Sequence, residues 1–369
     1  MLRLTRDAHA ALQDAVGAVL DPELHRTLAE LGMVREVTLS RAGRAEIEVA
    51  LTTAGCPMTQ RLTGDVTAAA RSVAGVVDVR VRFTVMSEPE RRSLADRFLS
   101  SRPPGGGGSP AAEVYAVASG KGGVGKSSVA ANLAVALARQ GKRVGLLDAD
   151  VWGYSVPQLF GVRHSPIAMY ETMLPVQAHG VSLMSLGFLV EDGTPIVWRG
   201  PMLHKALTQF VHDVHWGELD VLLLDLPPGT GDVTLSVLEL LPESSLVVVT
   251  TPQLAARTVA SRVGVMARDL HMPVAGVVEN MSELVCAGCG DHTPLFGSGG
   301  GQQLAAELAA PMLGRVPLDI SLRTAGDVGI PVVVGAPDAP SAVALSAVAQ
   351  ALRPVRRSLL GRELGLQPV

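Results

Sequence analysis

Short apolar runs alternate with helical stretches along the chain from residue 113 onwards. Residues 114–118, 143–147 and 220–224 are three of these runs, and the stretches 127–140 and 255–270 have the length of helices. The alternation continues with three further apolar runs and another helical stretch, at 245–250, 274–278, 312–316 and 203–214. Apolar strands that alternate with helices are typical of a mostly parallel sheet that is buried on both faces. The pattern predicts an α/β fold with helices flanking the sheet.

The first 97 residues show a different pattern. Residues 45–51 alternate apolar and polar side chains, which is typical of a half-buried strand, and residues 76–85 resemble a second strand. Helices are expected from Asp7, as a cap, to about residue 20, and over 59–73. The order helix, strand, strand, helix, strand predicts a small α+β domain.

A segment rich in proline and glycine separates these two patterns. Residues 98–112 contain Pro-Pro-Gly-Gly-Gly-Gly-Ser-Pro and have little apolar surface to bury. Such composition is typical of a flexible linker with a stiffer proline-rich start. We therefore predict a small domain over 1–97, the linker over 98–112, a larger domain over 113–356 and a C-terminal tail over 357–369.

Composition and charge narrow the class of protein. The 369 residues are 47% hydrophobic and 3% aromatic, with a formal net charge of −4 and no long basic run, so a nucleic-acid partner is not expected. No secretory leader and no apolar stretch of about 18 residues is apparent, so no membrane span is expected. The three cysteines are too few for a disulfide framework and favour a reducing cytoplasm.

Residues 120–127 read Gly-Lys-Gly-Gly-Val-Gly-Lys-Ser and fit the phosphate-loop pattern G-x-x-x-x-G-K-[ST]. They lie between a predicted strand and a predicted helix, which is the context this loop requires. Lys126 is expected to reach the β- and γ-phosphates of a nucleoside triphosphate, and the Ser127 hydroxyl to bind Mg²⁺. The nucleotide contacts that we predict here are Gly120, Lys121, Gly122, Gly123, Val124, Gly125, Lys126, Ser127 and Ser128.

Three aspartates follow predicted strands. Asp148 and Asp150 come directly after one strand and Asp225 after another, where parallel sheets face their ligand. Between Asp148 and Asp150, one carboxylate is expected to support the Mg²⁺ shell and the other to position the attacking water. Asp225 is the candidate for the aspartate on the metal side. The predicted Mg²⁺ ligands are Ser127, Asp148 and Asp225.

Cys286 and Cys289 form a Cys-Ala-Gly-Cys motif. Two thiolates at this spacing bind one face of a metal, whereas tetrahedral zinc or a cubane iron–sulfur cluster needs four ligands. A homodimer would supply two from each chain. A redox dithiol is the competing interpretation, although that motif usually opens a helix of a thioredoxin-like unit. Cys56, which precedes Pro57, is interpreted either as a stabilised thiolate or as a small buried residue.

Together these motifs resemble the Mrp/ApbC/Nbp35 group of iron–sulfur cluster carrier ATPases, within the deviant Walker A (MinD/ParA-like) class of P-loop proteins. The resemblance covers about residues 113–355. The motifs that carry it are the phosphate loop with Lys121, Asp148-Ala149-Asp150, Trp198-Arg199-Gly200-Pro201-Met202, the loop 225–232 and the Cys-x-x-Cys pair. The small domain resembles the MIP18-like domain through Asp21-Pro22-Glu23 and residues 53–57.

The resemblance implies an ATP-dependent homodimer that holds a [4Fe–4S] cluster and transfers it to apo-proteins, in contact with the cluster assembly machinery. It implies that Lys121 reaches the partner's nucleotide, that Asp150 orients the hydrolytic water and that Asn280 contacts the adenine. Cys286 and Cys289 would bind the bridging cluster. One departure lies shortly after Asp150. Residues 153–155 read Gly-Tyr-Ser, where relatives commonly have Gly-Pro-Ser.

Two other functions share some of these features. A positioning ATPase of the ParA or MinD type has the same loop and Lys121, but it needs a membrane-targeting helix or a basic DNA-binding face. The tail at 352–360 is only weakly amphipathic and is interrupted by Pro354. The other alternative is an ATPase whose cysteines hold structural zinc at the dimer interface.

Overall fold

The computed structural model describes residues 2–22, 26–52, 58–100, 112–150, 153, 155–169, 172–189, 200–286 and 288–355. It divides into two compact units. The smaller unit is drawn from residues 1–106, 164–177 and 213–215, and the larger from 107–163, 178–212 and 216–369.

Helices and strands alternate through most of the described chain. The helices are α1 (Leu2–Gly17), α2 (Leu28–Leu31), α3 (Thr59–Arg71), α4 (Glu88–Ser100), α5 (Lys126–Arg139), α6 (Val156–Leu159), α7 (Gly200–His212), α8 (Asp232–Leu240), α9 (Leu254–Asp269), α10 (Gly300–Glu307), α11 (Ile320–Val328), α12 (Val332–Gly335) and α13 (Pro340–Ala351), with a 3-10 turn at Leu186–Leu189. The strands are β1 (Val34–Leu39), β2 (Arg44–Leu51), β3 (Asp78–Val85), β4 (Glu113–Ser119), β5 (Val144–Asp148), β6 (Ile167–Met169), β7 (Thr172–Leu174), β8 (Val176–Ala178), β9 (Val181–Ser185), β10 (Val221–Asp225), β11 (Ser245–Thr250), β12 (Val274–Val285), β13 (His292–Thr293) and β14 (Met312–Leu318).

The smaller unit is an α+β domain around a three-stranded sheet. The strand order is β1-β2-β3, with β1 antiparallel and β3 parallel to β2. Alternate side chains of β2, including Ile47 and Val49, are buried against Leu12 of α1 and Leu62 of α3. Leu174 of β7 belongs to the same core, so the β6–β7 hairpin is part of this unit.

The predicted elements of this unit occur with shifted bounds. The helix expected to begin at Asp7 begins at Leu2 and ends at Gly17, so Asp7 lies inside α1 and is not its cap. The expected strand at 45–51 is β2 and the helix at 59–73 is α3. Two helices, α2 and α4, were not predicted because α2 has one turn and α4 is mostly polar.

The larger unit is built on a mostly parallel sheet flanked by helices, which confirms the predicted fold class. The strand order is β13-β12-β11-β4-β10-β5-β9-β8, and β14 pairs with β12. Neighbouring strands are parallel along the series β9-β5-β10-β4-β11-β12-β14. The short strand β13 is antiparallel to β12. The central strands β5, β10 and β11 are buried at every residue, as continuous apolar runs require.

Helix α5 forms the centre of the main core. Val129, Leu133 and Leu137 are at most 1% exposed and pack with residues of β4, β5 and α13. Burying one such side chain stabilises a fold by about 1.5–3 kcal/mol. This packing holds the N-terminus of α5 firmly at the carboxyl ends of β4, β5 and β10. No helix in the described ranges is long and apolar enough to cross a bilayer.

Candidate functional site

The phosphate loop connects the end of β4 to the start of α5. Gly123 and Gly125 have φ angles of 81° and 80°, in the left-handed region that favours glycine. Gly125 is the N-cap of α5, so the free N–H groups of the first helical turn point into the loop. Such a helix end is suited to binding phosphate. Gly120 faces α9, where a Cβ would stand 2.3 Å from the backbone nitrogen of Ala260.

Lys126, the lysine of this loop, is buried and bound to carboxylates. Its Nζ lies 2.6 Å from Asp225 Oδ1, 3.6 Å from Asp150 Oδ2 and 3.2 Å from Ser127 Oγ. A buried ammonium group needs such partners because its desolvation is costly. A phosphate that enters the loop would therefore compete with Asp225 for the lysine.

Asp148 and Asp225 lie opposite each other on neighbouring parallel strands, both fully buried. Asp148 accepts hydrogen bonds from Ser185 Oγ at 2.9 Å and from the Asp150 backbone N–H at 3.1 Å. Burial, and then the nearby charge of Asp225, raise the pKa of Asp148 to about 8. Burial also raises the pKa of Asp225, although Lys126 opposes this rise.

These residues fit a hard divalent cation. Asp225 Oδ2 is buried and has no hydrogen-bond partner among the described residues, while its other oxygen holds Lys126. Carboxylate and hydroxyl oxygens are the donors that Mg²⁺ uses beside nucleotide phosphates. Asp148, Asp225 and the hydroxyl of Ser127 are oxygen donors of this kind.

Two adjoining cavities surround the loop. The first, of about 480 Å³, lies between the phosphate loop, Asp150 and Pro227-Pro228. The second, of about 430 Å³, shares Gly125, Ser128 and Ser155 with it. Both have the size of a small-molecule site. The second cavity is further lined by Gln158, Leu159, Asn280, Met281, Pro317, Leu318, Asp319, Leu322, Arg323, Gly326 and Asp327.

Asn280 joins the second cavity to the phosphate loop. Its Nδ2 donates to the backbone carbonyl of Val124 at 2.9 Å, and the side chain is buried. Its Oδ1 is also buried, without a partner in the described part of the chain. An unbonded buried acceptor is costly, so this oxygen is available to a donor of a ligand in the cavity.

Lys121 lies at the edge of the first cavity. Its side chain is half-buried, and its Nζ is 3.5 Å from Gln253 Oε1 in the same chain. The loop after Asp225 is fastened to the phosphate loop, since Gly229 N–H donates to the Ser119 carbonyl at 2.8 Å. Through this hydrogen bond, a change in the phosphate loop is passed directly to the 225–232 loop.

Cys286 and Cys289 lie at the exposed tip of a hairpin that β12 and β13 form, and both are free thiols. The Cys286 backbone N–H donates to the Asp291 carbonyl at 2.9 Å, which closes the turn. Hydrogen bonds from the backbone N–H groups of Cys289 and Gly288 lower the pKa of the Cys286 thiol. Within the described ranges, no group of three or more His, Cys, Asp or Glu residues could hold a metal ion. The described chain thus offers a thiol pair at this tip, without further ligands.

The structure brings most of the predicted nucleotide residues to the adjoining cavities, namely Lys121, Gly122, Gly123, Val124, Gly125, Lys126, Ser127, Ser128, Asp150 and Asn280. Asp148 and Asp225 lie beneath them, beside Lys126. Glu23, Cys56, Trp198 and Arg199 lie outside the described residues.

Three residues around this site are not among those predicted from the sequence: Ser185, Gln253 and Met281. Ser185 ends β9 beside Asp148, and the mostly apolar segment 181–184 followed by this serine was a usable signal. Gln253 and Met281 had no such signal. Gln253 contacts Lys121 across 132 residues of sequence, and the backbone of Met281 is unusual for its residue type.

Known proteins share this architecture. Residues 111–353 match the family described as NUBPL iron-transfer P-loop NTPase, and residues 9–83 match a family of iron–sulfur cluster assembly proteins. An iron–sulfur cluster carrier protein of Mycobacterium tuberculosis is 46% identical, covering 98% of this chain and 97% of its own. One from Deinococcus radiodurans is 45% identical over 95% of each chain.

A solved structure of a similar protein contains a nucleotide. A nucleotide-binding protein of Archaeoglobus fulgidus, solved in complex with ADP, is 40% identical to this chain, with a TM-score of 0.53. The match covers 59% of this chain and 86% of the other. The family match covers more than half of the sequence, and the Mycobacterium tuberculosis relative is matched over nearly its whole length. The chain belongs to the NUBPL iron-transfer P-loop NTPase family and is an ATPase of the iron–sulfur cluster carrier type.

Proposed function

We propose that this ATPase binds a [4Fe–4S] cluster between two copies of the chain and transfers it to apo-proteins. The observation that carries the proposal is the pair of free, exposed thiols at the tip of the β12–β13 hairpin. A cubane cluster needs four ligands, and Cys286 and Cys289 supply two. Two hairpins facing each other would supply all four and leave the cluster near the surface, where another protein can accept it.

The turn around the thiols suits this cargo. Thiolates, not thiols, bind iron, and the N–H groups of Cys289 and Gly288 stabilise the Cys286 thiolate. These donors are also available to hydrogen-bond a thiolate that is already bound to a cluster, which tunes such clusters in proteins. We propose that the exposed position favours transfer over permanent storage.

We propose the following roles for the residues at the nucleotide. Lys126 leaves Asp225 to bind the β- and γ-phosphates, and Asp150 orients the water that attacks the γ-phosphate. Lys121 exchanges its contact with Gln253 for the phosphates of the partner's nucleotide. Mg²⁺, held by Ser127, Asp148 and Asp225, would neutralise the charge that develops on the phosphates. Asn280 accepts a hydrogen bond from the adenine through its unbonded Oδ1.

Anaerobic reconstitution tests the cargo site. The Cys286→Ser/Cys289→Ser double variant should retain almost no iron or sulfide, because serine does not replace thiolate in a cluster. Cys56→Ser is the matched control, since it removes the third cysteine and should retain the wild-type iron content. Iron, sulfide and zinc are measured on the same samples.

Two results would contradict the proposal. One is equal iron in the wild type and the double variant, which would place any cluster elsewhere. The other is zinc without sulfide in protein isolated anaerobically, which would favour a structural zinc bridge between the chains. ATP hydrolysis by the double variant serves as the folding control, because the thiols do not touch the phosphate loop.

A further inference from the structure

Met281 has an unusual backbone conformation for its residue type. Its φ angle is 55°, in the left-handed region that side chains other than glycine and asparagine rarely adopt. It follows Asn280 directly and precedes the strand end that leads to Cys286. Such conformations persist where neighbouring contacts enforce them, and they are common at ligand sites and switches.

Buried side-chain contacts on both sides enforce this conformation. Before it, Asn280 Nδ2 donates to the Val124 carbonyl in the phosphate loop at 2.9 Å. After it, Ser282 Oγ donates to the Val316 carbonyl of β14 at 3.2 Å. The pairing of β12 with β14 is irregular between Asn280 and Leu284. Met281 is therefore where a regular strand gives way to the segment that bears the cysteines.

The Met281 side chain also lines the second cavity, beside Asn280. Its Cε lies 3.9 Å from the position that a Cβ on Gly125 would occupy, so the thioether end covers the phosphate loop. The side chain of Met281 thus lies at the nucleotide site, and its backbone sets the direction of the following residues, which lead to Cys286.

We infer that Met281 is a positioning residue that couples occupation of the second cavity to the placement of the cysteine arm, defined as residues 282–286 and 288–293. A ligand that donates a hydrogen bond to Asn280 Oδ1 alters the position of Asn280, whose contact with Val124 is one of those that hold Met281 in the left-handed region. Because that conformation is unfavourable for methionine, a change in this contact is passed on to the arm. With glycine or asparagine there, the left-handed backbone persists without the contact, and the arm no longer responds.

Thiol alkylation in the presence of ADP tests the coupling. The protein is the full chain with Cys56→Ser, reduced and free of iron, so the reactive thiols are Cys286 and Cys289. We expect saturating ADP to change their alkylation rate by at least about fivefold, the lower end of usual allosteric coupling. Met281→Leu, which retains both shape and backbone cost, should show the same change.

Met281→Gly and Met281→Asn, each compared with and without a concentration of ADP that saturates that variant, should show a change of less than about twofold, because both residues tolerate the left-handed region. Ala309→Gly is the matched control. It relieves a similar conformation, with φ of 50°, at the exposed end of α10, and should keep the full ADP effect. If one of the two Met281 variants does not fold, the other decides.

The inference fails if ADP leaves the wild-type alkylation rate unchanged, or if Met281→Gly and Met281→Asn respond to ADP as the wild type does. Loss of the response in Met281→Leu would also overturn it, because the backbone would then not be the cause. The inference rests on the proposed function in one respect, namely that Cys286 and Cys289 are the residues that bind the cluster. Since the assay uses iron-free protein, its failure is distinct from a failure to bind a cluster.

Discussion

Gly125 and Gly123 form a matched pair that tests the geometry of the phosphate loop. Both have φ angles near 80°, but their surroundings differ. A Cβ on Gly125 would stand 2.2 Å from Asn280 Nδ2, whereas a Cβ on Gly123 would meet no heavy atom within 4 Å. Gly123→Ala therefore carries only the cost of the backbone conformation, and Gly125→Ala carries that cost together with a collision.

The two costs differ by a measurable amount. A left-handed backbone costs an alanine about 1–2 kcal/mol. In Gly125→Ala, Asn280 must also move, which loses its hydrogen bond to Val124 at about 1 kcal/mol and strains the packing by about 1–3 kcal/mol. We expect Gly125→Ala to lower the free energy of unfolding by about 2–4 kcal/mol more than Gly123→Ala.

Thermal unfolding of the nucleotide-free variants measures this difference. In a unit of this size, 1 kcal/mol corresponds to about 2–4 °C in Tm. A double-mutant cycle with Asn280→Ala isolates the collision, because without the amide the extra cost of Gly125→Ala should largely disappear. Equal Tm values for Gly123→Ala and Gly125→Ala, or additive effects in the cycle, would show that a side chain at position 125 does not collide with Asn280.

Further predictions concern the charged residues of the site and its rim. Lys126→Ala should abolish ATP binding, whereas Lys121→Ala should bind ATP but not hydrolyse it; equal hydrolysis rates in Lys121→Ala and wild type would exclude a catalytic role for Lys121. In metal-free protein, the free energy of unfolding of Asp148→Asn should rise relative to that of the wild type as the pH increases from about 4 to about 8. The raised pKa of Asp148 means that the unfolded chain loses that proton first, so the wild type loses stability across this interval; parallel pH profiles in urea unfolding would contradict this. Asp319→Ala should lower stability by about 1–2 kcal/mol, since Asp319 caps α11 and binds Ser341. Asp327→Ala, at an exposed ion pair on the same helix, is its control, with an expected change under about 1 kcal/mol.

Periodicity was sufficient to predict the sheet that carries the nucleotide site. The strands β5, β10 and β11 are buried on both faces, so their sequences are continuous apolar runs that end at the ligand side. The phosphate-loop pattern and the strand-end aspartates then indicated the chemistry. Lys126 follows the carboxyl end of β4, and Asp225 is the last residue of β10. Because β4 and β10 are neighbouring parallel strands, the two residues are in contact although they are 99 residues apart in sequence.

Other features left no periodic signal. The second half of β12 contains Glu279, Asn280 and Glu283 and does not resemble a buried strand, although Glu279 is buried by its contact with Gly301 in α10. The strands β6 and β7 have three residues each, too few to show a period. The left-handed backbone of Met281 depends on contacts distant in sequence, since methionine has no preference for it.

The stoichiometry of the loaded protein shows whether two chains share one cluster through Cys286 and Cys289. Native mass spectrometry of anaerobically reconstituted protein gives the mass of the assembly and its inorganic content together. We expect a dimer with one [4Fe–4S] unit, which is about two irons and two sulfides per chain, and an iron-free protein when Cys286 and Cys289 are both serine. A monomer that carries the full cluster, or a dimer of the double variant that still holds it, would exclude a cluster shared through these cysteines.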